Sequence, residues 1–217
     1  LCEDYVPGCV HFAVTSRANG RNRLIHAANE DSSLALSLAD SLKRIVQFRK
    51  PSEGYRHVSF SVSGQLAGIN GTNEKGLSVS STLLLDRAPR DVTAQGDIHP
   101  VLVKRMLQHA ATIPEAIAIL REARRNGAWS VCLSHYPTDS LCYIEYDRDE
   151  VVVRDNLTRL IGTNHALLLK PTHPTPPHSV HRLERLQDLL KKYENDGISS
   201  QSAEVLLRDQ FDGRRQR

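Results

Sequence analysis

The spacing of apolar residues changes period three times along this chain, and the order of those changes constrains its fold most. From Val10 to about Val79, short apolar runs (VHFAV, RLIHAA, KRIVQF, RHVSFSV, LSVSS) alternate with segments rich in Gly, Asn and Ser, such as SRANGRN. Runs of this length bounded by turn residues predict antiparallel strands with tight connections. Between Ile98 and Arg124 the apolar residues recur every three or four positions, first at Ile98, Val101, Leu102 and Met106, then at Ile113, Ala116, Ile117 and Leu120. That period predicts two amphipathic helices, the second with Thr112 as N-cap, Pro114 in its first turn and Glu115 beside it. Strands resume as WSVCLS, LCYIEY, EVVVRD and RLIGTN, with PTDS and DRDE as turns. The segment KPTHPTPPHS reads as an irregular proline-rich loop. Ser179 is predicted to open a helix with Val180, Leu183, Leu186, Leu190 and Tyr193 on one face, and a short helix from Ser202 to Arg208 follows. Strands, helices, strands, helices in that order predict an α+β domain with helices packed on mostly antiparallel sheet.

Composition narrows the function. The chain has 217 residues, 40% of them hydrophobic and 24% charged, enough for one domain spanning 1–217 with a real core. Residues 210–217 form a polar tail. No run approaches the ~18 apolar residues that span a bilayer, and the opening LCEDYVPGC lacks the regions of an export signal, so a cytoplasmic location without membrane partners is expected. The net charge is +3, and basic residues alternate with acidic ones except in the closing GRRQR. Nucleic acid is not expected as a partner, because that needs a concentrated basic face. Four cysteines (Cys2, Cys9, Cys132, Cys142) without a CxxC pair argue against a zinc ribbon and a disulfide scaffold. His173, His178 and His181 fit no zinc spacing, and neither metal nor bound cofactor is expected.

The candidate chemistry begins at Cys9, the first residue of the run CVHFAV, directly behind Gly8. A glycine there leaves its carbonyl sterically open to attack by the thiol. In HAANED, Asn29 and Asp31 are one residue apart, so both side chains point to one face of an extended segment. NGTNEKG around Asn73 reads as a turn between strands. Asn164 and His165 in IGTNHALL end an apolar strand, where an amide can project over the sheet edge towards a developing oxyanion. His11 shares the face of Cys9. Arg182 and Arg185 lie one turn apart, where they could clamp a carboxylate, but they read as a charged helix face and are left out of the site.

These pieces, GCVHFAV, HAANED, GQLAGINGTNEKGLSVS, TIPEAIAIL, WSVCLSHYPTDSLCYIEY, GTNHALL and HSVHRLERLQDLL, together resemble the acyl-CoA:6-aminopenicillanic-acid acyltransferase family, also called the C45 peptidase family. The resemblance runs from about Gly8 to about Asp209. It implies the four-layer αββα sandwich of the N-terminal-nucleophile hydrolases, in which a precursor cuts itself before its nucleophile. It places that cut between Gly8 and Cys9, with residues 1–8 as the end of a pro-segment. It makes Cys9 the nucleophile, sets Asn29, Glu30 and Asp31 on the family's Asn-aromatic-Asp motif with Asp31 organising the site, and gives Asn164 the oxyanion. His11, Asn29, Asn73 and His165 are expected to bind substrate or support the site.

The implied activity is a thiol acyltransferase or amidohydrolase acting on amide or thioester acyl groups. Its expected partners are a small-molecule acyl donor such as an acyl-CoA, an amine or water as acceptor, and a second copy of the chain or the cleaved pro-segment. Two departures stand out. Val10 and His11 replace the hydroxyl residues that usually follow the family's cysteine, and the chain is expected to be truncated at both ends. A non-catalytic domain of the same fold that binds an acyl ligand or a partner chain is the rival reading.

Overall fold

A computed structural model of the protein describes residues 8–30, 44–62, 64–87, 95–193 and 195–209. Two sheets organise them. Strands β1 (Cys9–Val14), β2 (Ile25–Glu30) and β10 (Arg159–Gly162) form an antiparallel sheet in the order β10-β1-β2. The second sheet is a meander in sequence order, made of β3 (Arg44–Arg49), β4 (His57–Val62), β5 (Asn70–Asn73), β6 (Leu77–Leu83), β7 (Trp129–His135), β8 (Ser140–Tyr146) and β9 (Val151–Leu157). The five helices are α1 (Ser16–Asn19), α2 (His99–His109), α3 (Ile113–Glu122), α4 (Pro177–Lys191) and α5 (Ser200–Leu207) among the described residues.

Side-chain alternation decides the layering. In β7, Val131 and Leu133 point to one side, where they pack with Leu102, Met106 and Leu107 of α2 and Ala116 and Leu120 of α3. The intervening Cys132 points the other way and joins Ala13, Leu141, Tyr143 and Leu160 between the two sheets. In β1, Phe12 and Val14 face Leu186, Leu190 and Leu206 of α4 and α5, while Ala13 faces the opposite sheet. The result is helices, sheet, sheet, helices, the αββα arrangement. It also explains why WSVCLS and LCYIEY are near-continuous apolar runs: these strands are covered on both faces, so alternation of polar and apolar residues is lost. Each fully buried leucine in these layers stabilises the fold by roughly 1.5–3 kcal/mol before entropy is counted.

The strand and helix order agrees with the sequence, with three differences. SRANGRN holds the short helix α1 rather than a turn. Thr15 Oγ1 accepts the Ala18 N–H, Gly20 ends the turn at φ 66°, and Asp139 accepts the N–H of Ser16 at 2.6 Å. A side chain from a distant turn thus caps a helix too short to be stable alone. Helices α4 and α5 begin earlier than expected, at Pro177 and Ser200 rather than Ser179 and Ser202. Residues Asn70–Asn73 are a strand, and the turn comes after them. A Cβ on Gly71 would lie 2.4 Å from the Val58 carbonyl oxygen and 2.7 Å from Leu107, so this glycine lets α2 settle on the strand.

Candidate active site

Three distant segments meet at Cys9. By alternation Cys9 shares the face of His11 and Ala13 and points between the sheets. Its backbone N–H donates to Oδ1 of Asn164 at 2.6 Å. Asn164 follows β10 and is itself held twice to the chain beyond β6: its Nδ2 donates to the Leu83 carbonyl at 3.0 Å, and its carbonyl accepts the Leu85 N–H at 3.0 Å. The Arg182 guanidinium of α4 donates from Nη2 to the same Asn164 Oδ1 at 2.8 Å and from Nη1 to the Cys9 carbonyl. Two amide oxygens are therefore bridged by one planar cation, a task suited to the fixed fork of arginine.

Gly8 is needed at this point. A Cβ there would sit 2.9 Å from Arg182 Cζ, and would push the guanidinium off both acceptors. The thiols differ as well. Cys9 is half-buried, whereas Cys132 and Cys142 are buried, and burial pushes the Cys142 thiol up to about 12 and Cys132 well above its ordinary value. Buried, protonated thiols are poor nucleophiles. Cys2 lies outside the described residues.

Beneath Cys9 the inter-sheet space is polar. His11 is fully buried; its Nδ1 pairs with Ser80 Oγ at 3.1 Å and its Nε2 has no partner. That Nε2 lies against Gly162, where a Cβ would come within 2.2 Å of it. His26 on β2 bridges Ser80 Oγ at 2.6 Å and Ser134 Oγ at 2.8 Å. Burial lowers His11 to about 3, helped by the neighbouring His26, and burial lowers His26 to about 4. Both imidazoles are neutral near pH 7, and His11 is committed to Ser80.

The other expected residues fall as follows. Asn29 pairs with Val10 and Glu30 with Cys9, so Glu30, not Asn29, shares the face of Cys9. Asp31 lies outside the described residues. His165 is buried, with Nδ1 between Thr163 Oγ1 at 3.0 Å and Ser179 Oγ at 2.9 Å, and burial holds it below its ordinary value. It ties the strand end to α4 instead of facing Cys9's backbone. Asn73 stands apart from this group. Its Nδ2 donates to the Leu107 and Ala110 carbonyls at the end of α2, and its Oδ1 accepts the N–H groups of Lys75 and Leu77. It serves the turn at the Leu77 end of β6, away from the Leu83 end where Asn164 is bound. Arg182 is the residue the sequence reading missed. It looked like part of a charged helix face, as Arg185 is: Arg185 pairs with Asp209 at 2.9 Å.

A cleft of about 480 Å³ opens beside this group, between β2 and strands β3 to β6. Ala28 and Glu30 line one side, and Val46, Phe60, Val62 and Val79 the other. A larger depression of about 1100 Å³ lies between β2 and α5. The first is the relevant one, because its β2 wall includes Glu30, the cross-strand partner of Cys9. Among the described residues no group of three or more His, Cys, Asp or Glu could hold a metal ion, and no helix is long and apolar enough to cross a membrane.

Residues 18–216 match the family described as acyl-coenzyme A:6-aminopenicillanic acid acyl-transferase. No curated protein matches the sequence. Among solved structures, the chain is similar to the Caenorhabditis elegans ortholog of N-acylethanolamine-hydrolyzing acid amidase, with TM-score 0.62 and 14% identity, covering 92% of this chain and 85% of that one. It is also similar to a mutant of the conjugated bile acid hydrolase of Clostridium perfringens, with TM-score 0.57 and 14% identity, covering 92% of this chain and 78% of that one. At such identities the likeness is one of fold, and that fold is the N-terminal-nucleophile hydrolase sandwich.

Proposed function

From the premise that this chain belongs to the acyl-coenzyme A:6-aminopenicillanic acid acyl-transferase family, we propose that it is a thiol acyltransferase or amidohydrolase activated by cleavage between Gly8 and Cys9. The observation that carries this reading is the grip on Cys9: its N–H rests on Asn164 Oδ1 at 2.6 Å while its carbonyl is held by Arg182. Both peptide groups flanking the Cys9 Cα are fixed, which leaves the side chain as the movable part.

In the first step Cys9 Sγ attacks the Gly8 carbonyl carbon. The Gly8–Cys9 C–N bond breaks, the nitrogen takes up a proton and a thioester remains. Water then attacks the thioester, giving the Gly8 carboxylate, a free thiol and a free Cys9 amine. Asn164 Oδ1, which accepts the peptide N–H, continues to accept from that amine and so directs its lone pair towards Sγ. With an ordinary value of about 7.7–8.0, the amine is a competent base near neutral pH. The buried, Ser80-bound His11 is not needed for this. The second hydrogen of Asn164 Nδ2, beyond the one given to Leu83, serves the oxyanion. An acyl chain carried on Sγ would lie along the cleft walled by Val46, Phe60 and Val62, and an amine or water would take the acyl group in the second half.

The test is incubation of wild-type and Cys9→Ser protein with p-nitrophenyl octanoate. The proposal expects a burst of p-nitrophenol equal to the amount of chain that begins at Cys9, and none from Cys9→Ser. Binding of the ester without any burst would instead favour a non-catalytic acyl-binding domain.

A further inference from the structure

We infer that Glu145 is a positioning residue for Asn164, its side-chain carboxylate oxygens being the acceptors on which the loop after β10 is wound; this rests on the reading of Cys9 and Asn164 given above. Asn164 belongs to neither strand nor helix, so something other than a ladder must set its place. The residues after it show what does. Ala166 N–H donates to Asp86 Oδ1 at 2.9 Å, Leu167 N–H to Glu145 Oε1 at 2.6 Å, and Leu168 and Leu169 N–H both to Glu145 Oε2 at 2.8 Å. Three consecutive backbone N–H groups converge on one carboxylate that is 0% exposed. The Tyr143 hydroxyl adds a fourth donor, to Oε1 at 3.1 Å.

Glu145 sits on β8, and by alternation shares the inter-sheet face of Leu141 and Tyr143. It projects from a rigid strand in the seven-stranded sheet into a loop that leaves the three-stranded sheet. Asp86 does the parallel task two residues beyond Leu84. Its Oδ2 accepts the Thr175 hydroxyl at 3.0 Å, and its carbonyl accepts the Thr172 and His173 N–H groups. The carboxylates thereby fix the loop that carries Asn164 to the sheet from which Leu83 and Leu85 hold it.

The two carboxylates are not chemically equivalent. All four partners of Glu145 are donors, and three of them are backbone groups that cannot reverse. An amide at position 145 must turn its NH₂ against at least one N–H, leaving donors opposed in a buried site. An amide at position 86 keeps one oxygen for Ala166 and can donate to Thr175, whose hydroxyl rotates to accept. Glu145→Gln is therefore the more disruptive of the two changes, although each removes one charge.

The experiment compares two reactions at Cys9 in wild-type, Glu145→Gln and Asp139→Ala protein, both read by mass spectrometry. Acylation by p-nitrophenyl acetate needs a placed oxyanion donor; alkylation by iodoacetamide does not. The inference expects Glu145→Gln to be acylated about 10²-fold more slowly and alkylated at the wild-type rate, and Asp139→Ala, which removes a carboxylate at the start of α1 instead, to match wild type in both. Wild-type acylation in Glu145→Gln, or an equal loss of both reactions, overturns it. Should Glu145→Gln not fold, Leu167→Pro removes one donor at an exposed position and keeps the carboxylate; selective slowing of acylation supports the inference and unchanged acylation overturns it. A wild-type protein alkylated but never acylated at Cys9 overturns the proposed function itself, and is recognised without any variant.

Discussion

Two buried polar regions share the space between the sheets, and they are built on opposite principles. Midway along β1, His11, His26, Ser80 and Ser134 are joined by hydrogen bonds between imidazoles and hydroxyls, all neutral. At the Cys9 end, an arginine and two carboxylates hold amide groups: Arg182 on Asn164 and Cys9, Glu145 and Asp86 on the loop behind them. Protonating an imidazole in the first region costs stability, because burial keeps water from the new charge. A carboxylate in the second meets only donors, so its oxygens are committed to accepting. The neutral region couples stability to pH, and the charged region couples geometry to chemistry.

The largest effect separates the regions completely. Cys9→Ala removes all ester turnover and all cleavage after Gly8 while leaving the thermal transition in place; residual turnover would place the chemistry elsewhere. Next comes Asn164→Ala, which deletes an oxyanion donor and is expected to lower kcat by about 10²–10³ with a small change in KM. A change confined to KM would make Asn164 a binding residue only.

The neutral region gives a pH signature. His11 is 0% exposed there, and His99, outside that region, is 1% exposed; burial lowers both to about 3. His99 stacks on Trp129 at 4.1 Å and its Nδ1 meets the Tyr146 hydroxyl at 2.5 Å. Well above pH 6.5 these groups are unprotonated in both the folded and the unfolded chain. As pH falls below 6.5 the unfolded chain takes up protons that the folded chain refuses, and stability drops by about 1.4 kcal/mol per pH unit for each histidine. Asp139 and Asp147, held below the usual carboxylate range despite partial burial by the N–H groups and arginines beside them, act in the other window. Their contribution is present above about pH 3.9 and lost below it. Urea titrations between pH 7 and pH 4.5 should show the histidine slope; a flat profile contradicts the burial of these rings. The smallest effect is Asp139→Ala, which uncaps α1 and should cost about 1 kcal/mol without altering acylation of Cys9.

The sequence was most legible where one physical signal dominated. Apolar period marked the strands and helices, because burial of a face is local in sequence. It failed at Asn70–Asn73, where turn-forming residues lie in a strand since α2 packs too closely for a larger residue at Gly71. It failed at α1, where the local Thr15 cap is completed by Asp139, 123 residues from Ser16. At the site, Cys9 and Asn164 were both singled out by the family resemblance, the second as an oxyanion donor; that its Oδ1 accepts the Cys9 N–H was not expected. Nor was Arg182, because a basic residue on a helix carries no local mark of its target. Its neighbour Ser179, buried and bonded to Thr163 and His165, shows in hindsight which face of α4 turns inward. Glu145 was hidden within an apolar strand, LCYIEY, where a buried acid signals only that some donor must meet it.

The account stands on Cys9 acting as a nucleophile once its own amine is free. The direct measurement is peptide-level mass spectrometry of wild-type and Gly8→Pro protein after treatment with p-nitrophenyl acetate from pH 6 to pH 9. The account predicts acyl-Cys9 only on chains that begin at Cys9, forming faster as pH rises through about 7–8, and none on the uncleaved variant. Acyl-Cys9 on intact Gly8→Pro chains would contradict it.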